Sequence, residues 1–127
     1  MILVDTSIWV GHLRAGDAVL GRLLQQGQVL GHPWVSGEIA LGSLSQRRQV
    51  LALLAGLPRA DVATDAEVVT FLERHRLYGL GIGYVDAQLL AATALTADAR
   101  LWTTDKRLAA VATRLHLHID PADAQKR

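Results

Sequence analysis

The stretch Ile2-Leu3-Val4 is apolar at every position and runs directly into Asp5. A strand with one wet face alternates apolar and polar residues. One that is apolar throughout needs cover on both faces, and that is the habit of parallel sheets sandwiched between helices. The same composition recurs near Leu101 and Trp102. Between these runs lie segments whose apolar residues follow helical spacing. Strands separated by helices of this length favour a three-layer α/β arrangement in which a central parallel sheet is flanked by helices.

Five strand candidates emerge from this pattern: residues 2–4, 29–35, a weak one at 61–64, 101–103 and 117–119. They predict a sheet of four to five strands. Helices are expected over 6–14, 17–26, a segment capped by Ser36, 46–55, a segment capped by Asp65 and running to 75, 84–97 and 105–115. The chain of 127 residues, half of them hydrophobic, forms one domain over 1–123, with 124–127 as a short tail. Trp9, Trp34 and Trp102 lie within apolar segments and are assigned to the core.

There is no cysteine, which excludes disulfides, thiolate nucleophiles and thiolate metal sites and suits a reducing cytoplasm. No basic segment leads into an apolar one at the N-terminus, so no signal peptide is expected. No apolar run reaches membrane-spanning length. Thirteen basic residues face twelve acidic ones, and eleven of the thirteen are Arg. Gathering four acids into one site would leave eight against thirteen over the remaining surface, an excess that suits a polyanion. Arg14, Arg47, Arg48, Arg74 and Arg76 are candidate backbone contacts, with solvated surface as the plainer reading. A mean hydropathy of +0.22 in so small a domain also leaves apolar surface for a protein partner, and a homodimer is expected.

In an open parallel sheet, strand C-termini and the helix N-termini that follow them share one edge, where ligands bind. Asp5 ends the first strand, and Glu38 is expected in the first turn of the helix after the second. Asp86 opens the helix of 84–97, and Asp105 follows the strand at 101–103. Each acid alone reads as an ordinary helix cap or exposed surface; Asp17, Asp61 and Asp65 stay in that class. Asp86 resists it, because "YVDAQLLAATAL" is apolar nearly all round and marks a buried helix. A carboxylate there costs several kcal/mol unless paired or metal-bound. Mutually repelling carboxylates on one edge point to a hard divalent cation, Mg²⁺ or Mn²⁺. Such a site handles phosphodiesters, so nuclease is the leading enzyme class.

Other motifs add nothing to this. "GLGIGY" at 79–84 lacks the third Gly of a dinucleotide loop and the Lys-Ser/Thr of a P-loop, and reads as a flexible lead into the next helix. His116 and His118 have no third ligand in view. A dehalogenase-type phosphatase needs a second Asp where Ser7 stands.

"ILVDTSIWVGHLR", "EIALG", "DAQLLAATAL" and "LWTTDKRL", taken together and in order, resemble the PIN-domain ribonucleases, most closely the VapC toxins of bacterial toxin–antitoxin pairs. The resemblance spans essentially the whole chain. It implies a PIN-like fold with Asp5, Glu38, Asp86 and Asp105 as the catalytic, metal-binding acids. Ser7 and Thr103 match supporting hydroxyls. It further implies Mg²⁺- or Mn²⁺-dependent RNA cleavage, a homodimer, and a small antitoxin that inserts a segment over the site. Gly11 departs from the polar or acidic residue common at that position. The alternative is a PIN-like domain that binds RNA or protein without cutting.

Overall fold

A computed structural model describes residues 1–122. The expected tail at 124–127, and the last residue of the domain span, lie outside the described residues. Three strands, β1 (Ile2–Val4), β2 (Val29–Leu30) and β3 (Arg100–Trp102), form a wholly parallel sheet in the order β2-β1-β3. Leu3 pairs with Leu30 on one side and Leu101 on the other, and all three are buried. Ile2, Leu3 and Val4, which point alternately to the two faces, are all buried, so both faces of β1 are covered, as its unbroken apolarity requires.

The expected strand at 61–64 does not form, and the one at 117–119 shrinks to a single bridge; each flank of the sheet carries one bridging residue. Gly31 bridges to Arg59, and Leu101 to His118, both in parallel sense. On the first edge Gly31 donates to the Pro58 carbonyl at 2.7 Å and accepts from Ala60 at 3.0 Å. Pro58 has no N–H with which to extend the ladder. On the second, Leu101 donates to Leu117 and accepts from Ile119. The expected four to five strands are thus three strands with one bridging residue on each flank.

Seven helices complete the named elements among the described residues: α1 (Thr6–Ala15), α2 (Ala18–Gln25), α3 (Pro33–Ala40), α4 (Arg47–Ala55), α5 (Asp65–Arg74), α6 (Tyr84–Leu95) and α7 (Lys106–Arg114). Asp17 caps α2 as expected, accepting from Val19 and Leu20. Thr64, not Asp65, caps α5, through a reciprocal pair with Glu67. The segment 29–35 is not one strand. Pro33 takes the first position of α3, where its missing N–H costs nothing, and His32 rather than Ser36 is the cap. Glu38 consequently lies in the last turn of α3, not the first. Trp34 also leaves the core and is 40% exposed, whereas Trp9 and Trp102 are buried as expected.

The main core joins the three strands to Ile8, Trp9, Leu20, Val35, Ile39, Leu89, Leu90 and Leu108. A smaller cluster of Ala63, Val68, Ala87 and Ala91 seals α5 to α6. Residues Ala87 through Thr93 of α6 are all buried, which explains its lack of a polar face.

Candidate active site

The edge formed by the C-terminal ends of β1 and β3 is built around Asp5. Its backbone N–H donates to the Trp102 carbonyl at 2.9 Å, continuing the β1–β3 ladder by one residue. The chain then turns into α1, and the Asp5 carboxylate caps it, with Oδ1 accepting the Thr6 N–H at 2.8 Å. The other oxygen, Oδ2, accepts two hydroxyls, Thr103 at 2.6 Å and Ser7 at 3.1 Å. Asp5 is only 8% exposed, so these donors are what make its burial tolerable. Three donors on two oxygens fix the carboxylate in one orientation.

Asp105 stands next to it and is tied to the same hydroxyl. The Asp105 N–H donates to Thr103 Oγ1 at 3.0 Å, and Asp105 Oδ1 caps α7 by accepting from Leu108 at 2.9 Å. The capping reading of Asp105 and its membership of the acidic edge are therefore both true. Glu38 reaches the edge from the last turn of α3, and its Oε1 accepts the Thr6 hydroxyl at 2.6 Å. Thr6 is the contact that sequence reasoning missed; the signal was its place between Asp5 and Ser7, both assigned to the site.

Asp86 closes the group from the first turn of α6. It is half-buried, and its Oδ2 accepts the Gly83 N–H at 3.1 Å. Burial holds its carboxyl above the usual carboxylate range. The Gly83 bond lowers it, by less than burial raises it, and the negative charges of Asp5, Asp105 and Glu38 push it up further. One carboxylate thus feels the other three, which come from the junction of β1 and α1, from α3 and from the start of α7. Gly79 and Gly81 adopt positive φ in the loop leading to α6, and Gly81 sits directly beneath the Arg107 side chain.

The donor set is of one chemical kind, carboxylate oxygen with hydroxyls behind it, and that kind suits a hard divalent cation. Among the described residues, no three acidic or histidine side chains are drawn together into a finished ligand cluster. The four acids share an edge and a field without converging on one point. Arg47, a candidate phosphate contact, is used otherwise: its guanidinium donates to the carbonyls of Ala40 and Gly42 and clamps the end of α3.

Comparison with known proteins gives the family. The family model described as "PIN domain" matches residues 2–114. Ribonuclease VapC32 of Mycobacterium tuberculosis strain H37Rv is 54% identical over 110 residues, covering 87% of this chain and 89% of the relative; the protein of the same name from strain CDC 1551 matches to the same extent. No solved structure gave a significant match. The chain belongs to the PIN-domain family and is of the VapC type.

Proposed function

We propose that the edge bearing Asp5, Glu38, Asp86 and Asp105 is the active site of an endoribonuclease that depends on Mg²⁺ or Mn²⁺. The observation that supports this reading is that four acids, from separate parts of the sequence, share one edge of the sheet with the buried Asp5. The relatives named as ribonucleases support RNA as the substrate.

Asp5 and Asp86 are the principal metal-holding groups, with Asp105 and Glu38 completing the set. A hard divalent cation bound there supplies an activated water and neutralises charge on the phosphate and leaving oxygen. The protein's own part is positioning. Ser7, Thr103 and the Thr6 N–H hold Asp5, the Thr6 hydroxyl orients Glu38, and Thr103 locks Asp105 relative to Asp5. Without these bonds four like charges would turn away from one another.

In this reading the chain is the toxin of a toxin–antitoxin pair, acts in the cytoplasm, forms a homodimer and is held in check by a small cognate antitoxin. No helix among the described residues is long and apolar enough to cross a membrane. Residues 1–123 form the nuclease domain. The test is cleavage of total RNA with Mg²⁺ or Mn²⁺, with and without EDTA, by wild type, Asp5→Ala and Asp86→Ala. Cutting requires the cation and both acids; full activity in either variant would falsify the site.

A further inference from the structure

A groove lies beside the carboxylates that the chemistry above does not use. Pro33, Trp34, Gly37, Glu38 and Leu41 of α3 and its C-terminus, with Val85 of α6, line a cavity of about 550 Å³. Apart from Glu38 its lining is apolar, yet it stands in solvent: Trp34 is 40% exposed, Leu41 91%, and the adjacent Tyr84 41%. Trp34 and Glu38 are four residues apart on one helix, hence on one face. Tyr84 and Asp86 share the first turn of α6. An aromatic pair and an acidic pair are thus carried by the same two helices.

The aromatic pair is built rather than incidental. Trp34 and Tyr84 meet edge to face, with ring centroids 5.9 Å apart and planes at 71°. The Tyr84 hydroxyl donates to Asp65 and accepts from Gln88 Nε2 at 3.1 Å, so its ring cannot swing away. Gly37 also lines the groove, with open space beside it: a Cβ added there would meet nothing within 4 Å.

We propose that Trp34, braced by Tyr84, is a stacking subsite for an unpaired nucleobase next to the scissile phosphodiester. The inference rests on the ribonuclease reading above. A nucleotide whose phosphate sits at the acids carries its base only one sugar away, and the groove begins at Glu38 itself. A partly exposed indole packed against a tethered tyrosine offers a surface on which a base can stack, and every base offers a π-face in return. A base inside an A-form duplex is already stacked on both sides and cannot enter. The subsite therefore directs cleavage to single-stranded segments.

The test uses the whole chain with a short RNA, either single-stranded or annealed to its complement, and the variants Trp34→Phe, Trp34→Leu and Gly37→Leu. Cleavage kinetics with Mn²⁺ or Mg²⁺ should favour the single strand. Trp34→Leu, and Gly37→Leu, which fills the groove, should raise KM about tenfold with kcat near that of wild type. Trp34→Phe, which keeps an aromatic face, should stay close to wild type. Tryptophan fluorescence in EDTA gives a readout independent of cutting. Trp9 and Trp102 are buried and out of reach of added RNA, so a contact quench reports Trp34; the intact strand should quench it and an abasic strand should not. An unchanged KM in Trp34→Leu, with equal quenching by both strands, would overturn the subsite. So would a change in sedimentation of Trp34→Leu at unaltered RNA affinity, which would give the face to a protein partner. Failure of the wild type to cut any RNA would sink the ribonuclease reading instead, leaving the quenching experiment to decide the subsite.

Discussion

The Thr103 hydroxyl donates to Asp5 Oδ2 at 2.6 Å although the two residues are 98 positions apart in sequence. The Thr103 oxygen in turn accepts the Asp105 N–H at 3.0 Å. One buried hydroxyl therefore sets the spacing of two carboxylates that would otherwise repel. Thr103→Val, which keeps the shape and removes both bonds, should lower RNA cleavage about 10- to 100-fold. It should also lower stability by about 1–3 kcal/mol through unpaired buried groups. Thr103→Ser should restore most of both, as read by cleavage assays and denaturant unfolding.

Asp86 carries a conflict between stability and function. Its carboxyl is held above the usual range by burial and by the charges of Asp5, Asp105 and Glu38. A folded-state pKa above the unfolded one means that the folded form takes up the proton more readily. The associated stability is present at low pH and lost as pH rises through the folded value. Asp86→Asn should therefore abolish cleavage yet melt several degrees higher than wild type at neutral pH in EDTA. The gain should disappear as pH falls into the carboxylate range; calorimetry against pH checks the sign.

Cation binding should appear in stability as well as in rate. A ligand that binds only the folded form at a hundred times its Kd adds about 2.7 kcal/mol. Saturating Mn²⁺ should accordingly raise the melting temperature of wild type and leave Asp86→Asn nearly unmoved. Because the cation competes with a proton on Asp86, its affinity should rise with pH across that group's titration. Isothermal titration at several pH values would show a flat profile if Asp86 were not involved.

His32 is almost wholly buried, and its Nδ1 accepts the backbone N–H of Trp34 at 3.1 Å, starting the helix that carries both Trp34 and Glu38. Burial first, and the nearby Arg59 charge second, lower its pKa from 6.5 to about 4. The unfolded chain then binds a proton that the folded chain refuses. Stability contributed by the neutral ring is complete above about pH 6.5 and falls progressively as pH drops towards 4. His32→Asn, which retains a capping oxygen, should lose this acid-side slope. Unfolding free energies measured between those limits would reveal it.

Glycines 37 and 81 should respond in opposite ways. Gly81 has φ +78°, and an added Cβ would come within 2.7 Å of the Arg107 guanidinium. Gly81→Ala should cost about 1–2 kcal/mol and loosen the lead into Asp86. Gly37→Ala, in a helix with open space beside it, should stabilise by up to about 1 kcal/mol. Thermal melts of the two single variants test both signs.

The unbroken apolarity of Ile2–Val4, the helical spacing of the segments between the strands, and the acids at 5, 86 and 105 were enough to specify a parallel α/β sheet with those acids on one edge. Those features are local: strand burial and helix periodicity are written residue by residue. The start of α3 was misplaced because a Pro after a buried His was read as strand interruption instead of helix initiation, and the error moved Glu38 by more than a turn. The exposure of Trp34 was misread for a related reason, since an indole has the same composition signal inside a core and on an open groove. The weak strand expected at 61–64 was misplaced, since the bridge falls at Arg59, and the one at 117–119 was overestimated, because where and how far a ladder extends depends on partners that sequence does not name.

The sequence by itself determined the type of fold and the presence of four acids able to share one edge of the sheet, since hydrophobic period and residue chemistry are carried by neighbours along the chain. Only the tertiary structure decided that Thr6 orients Glu38, that Thr103 spaces Asp5 from Asp105, and that Trp34 and Tyr84 stand open beside them. Those relationships depend on directions and distances between elements far apart in sequence. They are fixed when the sheet and its helices close together, not before.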